Sequence, residues 1–418
     1  MSNSEKTSNV VVTGVGPVSA LGFGCRALDQ GMRGARSGIG EITLIDPEPY
    51  GSRQAGEIPE FDVQDYLDSQ KTYLDRSSEV AFAALKLAMQ DAALKPADIG
   101  QNGAGIMLGS LFGNQSTVEL FYNDLLEKGP RLVKPILFPN AYPNTTISLL
   151  AIEYGLDGVH LNFAGGFNSS MAAVAAAYDH IQQGKAQMIF AGGYEVLSES
   201  GFYGLAELGR LSPNDGGQEN CSPFDQAANG FVMGEGAALF VLESENHAKA
   251  RGAPIKAEIN AVSHRSCPME RKDGATVRED TEGNPVLDAM RTVMCDAETA
   301  AEEIDCIFAH ADGDAGTDKI EVAGCRDICE TGQAAIPVTT TKPMTGECLG
   351  AGGGVQLAAA VTAMENGYIP PVLNLGTPGA GAENLDIVRD GAWEQALNQV
   401  MVNSVDPGGS AVSVIIGT

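Results

Sequence analysis

The sequence predicts an α/β protein in which helices layer against sheets, and three observations predict it. Short apolar runs of strand length alternate with stretches of helical period along the whole 418 residues. Apolar residues make up 44% of the chain and glycine contributes 51 positions, the balance of a tightly packed core with many turns. The alternation runs through both an N-terminal half, 1–255, and a C-terminal half, 256–418, and the length suits two core-bearing units or one large fused domain.

Taken in order, a polar tail gives way to an apolar strand over 9–13 that ends at Gly14-Val-Gly-Pro17. Residues 78–94 carry Val80, Ala83, Leu85, Leu87 and Ala88 at helical spacing and are closed by Lys95-Pro96. A short strand over 105–109 precedes a helix over 115–127 that stops at Gly129-Pro130. Strands are expected over 186–193, 234–243 and 257–262. The second half repeats the pattern, with a strand over 304–310, helices over 318–331 and 355–366, and two strands near 401–402 and 411–416 that flank a glycine loop.

One stretch organises the rest. Residues 161–177 read as a short strand, a turn loosened by Gly165-Gly166 and an Ala-rich helix starting near Phe167. A strand turning sharply into a helix aims its first side chain and free N–H groups at one point, where a thiolate or an oxyanion is stabilised. The residue at that tip is Phe167, which has no nucleophilic atom.

Bulk charge excludes several partners. A formal net charge of −28 argues against nucleic acid and anionic membrane. The 8 cysteines are scattered without a CxxC pair, and Cys325 and Cys329, one helical turn apart, have no histidine nearby, so no metal and no cofactor is expected. No charged-then-apolar leader and no long apolar run is visible, which reads as a reduced, cytoplasmic protein.

Several long motifs then occur in one order. They are Val11-Val-Thr-Gly-Val-Gly-Pro-Val18, Leu125-Leu-Glu-Lys-Gly-Pro130, Ile152-Glu-Tyr-Gly-Leu156, Pro223-Phe-Asp225, Gly230-Phe-Val-Met-Gly-Glu-Gly236, Thr341-Lys-Pro-Met-Thr-Gly346 and Gly367-Tyr-Ile-Pro-Pro-Val-Leu-Asn374. Over nearly its full length the chain resembles the β-ketoacyl-carrier-protein synthases of the thiolase fold. The resemblance implies a layered α-β-α-β-α architecture with two similar halves, and a family of acyltransferases. Its condensing members use a Cys nucleophile, two His that assist malonyl decarboxylation, and an oxyanion hole of two backbone N–H groups.

Carried over position by position, that machinery is not intact. The nucleophile position falls on Phe167, and a shift of one or two residues brings up Gly166, Asn168 or Ser169 but no cysteine. Ser169 and Ser170 read as small residues for close helix packing before they read as nucleophiles. The first His matches His310; the second falls on Glu347, a carboxylate that would repel a malonyl group. Lys342 is kept and is expected to hold Glu347 in an ion pair. The family's Asn-Ser-Phe-Gly-Phe-Gly-Gly-Thr-Asn loop reads Asn403-Ser-Val-Asp-Pro-Gly-Gly-Ser-Ala411, which places Pro407, without an N–H, at the second oxyanion donor.

Such chains resemble the ketosynthase β-subunits, or chain-length factors, of type II polyketide and polyene synthesis, although the Gln common at the lost Cys is absent. That resemblance implies a catalytically inactive subunit in a heterodimer with a catalytic ketosynthase α-subunit, an acyl carrier protein met through that partner, and a role in shaping the acyl tunnel. The gate positions fall on Gln115, Val118 and Tyr122, at i, i+3 and i+7 of one helix, with Phe121 beside them. The strand over 159–163 would pair across the two-fold of the dimer. Two other readings stand beside this one. One is an enzyme with remodelled acid–base chemistry around His310, Glu347, Asp312 and Asp314; the other is a purely structural scaffold subunit.

Overall fold

In the computed structural model the described residues are 8–99, 103–214, 216–267, 271–272, 275–276 and 284–418. The polar N-terminal tail lies outside them, apart from its end.

Ten strands build the frame. The first five are β1 (Val10–Ser19), β2 (Gly105–Gly109), β3 (His160–Phe163), β4 (Met188–Glu195) and β5 (Gly236–Ser244). The second five are β6 (Ala257–Ser266), β7 (Cys306–Phe308), β8 (Pro337–Thr339), β9 (Gln399–Asp406) and β10 (Ser410–Gly417). The first five lie in the order β3-β2-β4-β5-β1 and the second in the order β8-β7-β9-β10-β6, joined by an antiparallel β1–β6 pair. Parallel and antiparallel pairings also correspond: β2 is parallel to both β3 and β4, as β7 is to β8 and β9, and the remaining pairs are antiparallel. The two halves are therefore topological repeats, although the sequence shows no repeat.

Side-chain parity sets the layers. Strand residues point alternately to the two faces, and both faces are buried, which is why these strands read as continuous apolar runs. On β4 and β5, Ile189, Ala191, Phe240 and Leu242 face one core while Met188, Phe190, Leu239 and Val241 face another. In the second half, Cys306, Phe308, Val400 and Val414 join the first of these cores, whereas Ile307, Met401 and Ile415 face a third. The shared core holds two helices, Ser169–Gln182 and Gly352–Asn366, the latter buried from Gly352 through Met364. Helix Arg76–Asp91 covers the outer face of the first half, and Pro285–Asp296 with Ala315–Gly332 covers that of the second. The result is the α-β-α-β-α order of the thiolase-like fold, with two similar halves.

Some expected boundaries move, each for a local reason. Strand β1 does not end at Gly14 but continues to Ser19, with a register shift between Val12 and Gly14. The glycines serve packing there: a Cβ at Gly14 or Gly16 would lie 2.3 Å or 1.9 Å from the carbonyl oxygens of Ala88 and Ala84. Helix Arg76–Asp91 starts earlier than its apolar period because Asp75 caps it through the Ser77 N–H.

The repeat is uneven at its margins. In the second half a short strand at Asp386–Ile387 pairs with β8 and covers it. Among the described residues the equivalent strand of the first half, β3, pairs with β2 alone and ends the sheet, with His160 and Leu161 exposed. Among the described residues, nine of the thirteen exposed large apolar side chains fall in 120–161, close in sequence to that edge. None of the described helices is long and apolar enough to cross a membrane.

Candidate functional site

The loops that follow β3 and β9 meet in one cluster, and those that follow β7 and β8 meet in another. After β3 the chain turns through Gly165 and Gly166; the latter has φ +109°, and a Cβ there would fall 1.9 Å from Asp406 Oδ2. Only glycine suits both the dihedral and the space. The helix begins at Ser169, two residues later than expected, behind Asn168. Ser169 Oγ donates to the Gly166 carbonyl (2.6 Å) and accepts from the Gly165 N–H (3.0 Å), while Ser170 Oγ accepts from the Gly354 N–H (2.9 Å). Both hydroxyls tie the turn and helix in place.

Phe167 sits on this turn, 6% exposed, with its ring edge-on to Phe231 at 5.7 Å in an apolar cluster with Phe202, Leu211, Met233 and Leu349. Its backbone N–H, which the sequence reading leaves free, is engaged: it donates to Asp406 Oδ2 at 2.8 Å. Asp406 Oδ1 accepts from the Gly408 N–H at 2.7 Å, so one carboxylate bridges the nucleophile turn and the late glycine loop across Pro407. The sequence reading stops at Pro407 and misses Asp406. The available signal was an acid beside that proline, in a loop expected to face backbone donors.

The second cluster is buried. Lys342 Nζ lies 2.8 Å from His310 Nδ1 and forms an ion pair with Glu347 Oε2. His310 Nε2 is 3.5 Å from Asp312 Oδ2 and 3.9 Å from Glu347 Oε2, and none of these side chains is more than 2% exposed. Burial pushes the Asp312 carboxyl up, but His310 and the Lys342 charge outweigh it and hold the group below its usual value. Asp314 does not join this cluster. It pairs with Arg210 at 2.9 Å and caps the helix Ala315–Gly332 through the N–H groups of Gly316 and Thr317.

Neighbouring elements fix these positions. Glu321 accepts the N–H groups of His310 and Ala311 (2.8 and 2.7 Å), and Asp318 accepts those of Asp312 and Phe224 (3.0 and 2.9 Å). Burial and the Asp312 charge push Asp318 well above the usual carboxylate range. The stretch ending at Gly236 clamps Glu347: its N–H donates to the Val232 carbonyl, and its carbonyl accepts from the Gly234 N–H, both at 2.8 Å. A Cβ at Gly234 would meet the Thr345 carbonyl at 2.3 Å. Asp225 of the Pro-Phe-Asp motif accepts the N–H groups of Gly376 and Thr377 (2.6 and 2.9 Å), so that motif acts as a loop latch.

The expected gate helix runs Gln115–Lys128 and stops at Gly129, φ +76°. Its residues do not act alike. Gln115 Nε2 donates to Ser200 Oγ at 2.8 Å, anchoring that end to the chain's own helix Glu199–Glu207. Val118 and Phe121 are half-buried, whereas Tyr122 is 55% exposed. Phe121 packs edge-on to Tyr122 (5.7 Å) and against Phe138 (5.9 Å), which in turn meets Tyr142 (5.3 Å). These rings form a partly exposed aromatic row.

Comparisons with known proteins agree with this fold. The model for the N-terminal domain of β-ketoacyl synthases matches residues 7–248, and that for the C-terminal domain matches residues 265–376. The 3-oxoacyl-(acyl-carrier-protein) synthase 2 of Staphylococcus aureus (strain COL) is 30% identical over 416 residues, covering 97% of each chain. The corresponding protein of Coxiella burnetii is 31% identical over 412 residues, covering 97% of this chain and 98% of its own. Among solved structures, the ishigamide ketosynthase/chain length factor superposes with a TM-score of 0.90 at 28% identity, covering 98% of this chain and 99% of the other. A β-ketoacyl synthase from Burkholderia phymatum STM815 gives a TM-score of 0.87 at 28% identity with the same coverage.

Proposed function

The chain belongs to the β-ketoacyl synthase family, and from that premise we propose that it is a non-condensing subunit, akin to a chain-length factor, serving polyketide or fatty-acid-like synthesis. It pairs with a catalytic ketosynthase and contributes to the wall of that partner's acyl tunnel. One observation carries the reading: Asp406 occupies the Phe167 N–H where a reacting thioester oxygen would need a donor. A tetrahedral intermediate places negative charge on that oxygen, and a carboxylate in contact with the donor opposes it. Pro407 cannot supply the second donor. Glu347 places another carboxylate where malonyl decarboxylation calls for a hydrogen-bonding imidazole.

The likeness to a ketosynthase/chain length factor structure and the open β3 edge support the pairing. An unpaired edge strand with apolar neighbours is a surface that another chain's sheet can extend. Its opposite number, β8, is already covered within the chain. A net charge of −28 would repel an acidic carrier protein from this chain, so the carrier docks on the partner subunit.

The test is co-expression with a catalytic ketosynthase of the same source, followed by co-purification and assay of malonyl-carrier consumption. The expected outcome is a stable pair in which mutation of the partner's nucleophile abolishes condensation. Condensation by this chain alone, or failure to associate with any such partner, would overturn the reading. A purely structural scaffold would associate but leave product length insensitive to the Tyr122 face. The remodelled-enzyme reading has the His310, Asp312 and Glu347 juxtaposition in its favour; turnover abolished by Glu347→Gln with the partner absent would support it instead.

A further inference from the structure

We propose that His310, Asp312 and Glu347 form a buried binding site for one divalent first-row transition cation, with zinc as the working probe. One ligand atom from each residue lies within 4.8 Å of the other two. His310 Nε2, Asp312 Oδ2 and Glu347 Oε1 are buried and, among the described residues, none has a well-aligned hydrogen-bond partner, the nearest approach being 3.5 Å between the first two. Buried polar atoms are rarely left so, because each loses water without a replacement. Here three from different residues converge.

Charge points the same way. Lys342 Nζ pairs with Glu347 Oε2 and lies 2.8 Å from His310 Nδ1, so this one cation faces the cluster. Two carboxylates stand against it, and a divalent ion compensates the excess. With an ion on Nε2, the Lys342 nitrogen stands at Nδ1, the other ring nitrogen. That arrangement gives the ligating imidazole the hydrogen-bonded outer partner such ligands use.

The spacing fits after a small contraction. Ligands about 2.0–2.1 Å from a tetrahedral zinc stand roughly 3.3–3.4 Å apart, against 3.5 Å between His310 Nε2 and Asp312 Oδ2 and no more than 4.8 Å between any two of the ligand atoms here. One imidazole with two carboxylates suits zinc, manganese or iron(II); calcium and magnesium prefer oxygen alone. The cluster is closed to solvent, so the ion would enter as the chain folds and would staple the loop after β7 to the loop after β8. This does not rest on the subunit reading above.

The full chain, expressed in zinc-supplemented medium and dialysed against metal-free buffer, is expected to carry about one zinc by plasma mass spectrometry, and Asp312→Asn/Glu347→Gln to retain about a tenth or less. A Cys325→Ser/Cys329→Ser control should keep the full amount, and circular dichroism checks that each variant folds. Zinc well below one equivalent in the unaltered chain overturns the proposal, as does equal zinc in the carboxylate variant. Loss of zinc in the cysteine control overturns it as well. If the carboxylate variant does not fold, the unaltered chain and the control still decide between these results.

Discussion

Replacing Phe167 by Cys would place a thiol at the nucleophile position but should not by itself produce an acylating enzyme. In that variant the residue 167 N–H still donates to Asp406 Oδ2 (2.8 Å in the native chain), and Pro407 still offers none, so neither oxyanion donor is available. The triple variant Phe167→Cys/Asp406→Gly/Pro407→Phe removes the carboxylate and restores a second N–H. Loss of one such donor costs about 10²–10³ in rate, or about 2.7–4 kcal/mol. Because effects within one oxyanion hole are not additive, we take the lower bound and expect the triple variant to exceed the single by about 10²-fold. The assay is transfer of acetyl from a pantetheine thioester to the introduced thiol, followed by intact-protein mass spectrometry; the small donor avoids any demand on tunnel length. Equal rates in the two variants would refute the argument, since they would mean that Asp406 does not obstruct the turn. A thermal melt of each variant separates lost acylation from lost folding.

Three further outcomes are expected. Lys342→Met alone leaves Glu347 as an uncompensated buried carboxylate and should cost about 3–5 kcal/mol in urea unfolding, with Lys342→Met/Glu347→Leu recovering part of it; a single-variant cost below about 1 kcal/mol would discount the pair's burial. Burial pushes the Glu195 carboxyl up from 4.5 to about 7, against the opposing N–H groups of Leu111 and Phe112. The folded state then keeps its proton while the unfolded chain releases one, so this contribution is complete below pH 4.5 and declines up to about pH 7, by about 3 kcal/mol at most. Glu195→Gln should flatten that decline in the urea midpoint. Finally, Tyr122→Ala in the reconstituted pair should lengthen the product read by mass spectrometry, and an unchanged chain length would remove Tyr122 from the tunnel wall.

Much of the frame was legible because these strands are buried on both faces and so stand out as apolar runs between glycines. The end of β1 was not: Gly14 and Gly16 look like a turn in sequence, yet each is glycine because a helix backbone presses on it. At the site, Phe167, Glu347 and Pro407 drew attention in the sequence, since each lacks the chemical group that the resemblance calls for at its position. The capture of the Phe167 N–H by Asp406 was not, because it joins residues 239 positions apart and depends on how two loops meet. The different surroundings of Gln115 and Tyr122 were not legible for a similar reason. Helical spacing gives direction, but the hydrogen bond to Ser200 ties one residue to its own subunit while the other faces outward.

The uncovered β3 edge has a consequence for how the cell must handle this chain. Within one molecule the second half finishes its sheet and the first does not. A copy made in excess of whatever completes that edge would display a template for indiscriminate strand addition, beside a surface rich in exposed Leu, Ile and aromatic side chains. On the proposed pairing, copies without a partner would be the ones open to aggregation and degradation. Yield and half-life should therefore follow synthesis of the completing chain more closely than they follow this chain's own folding stability.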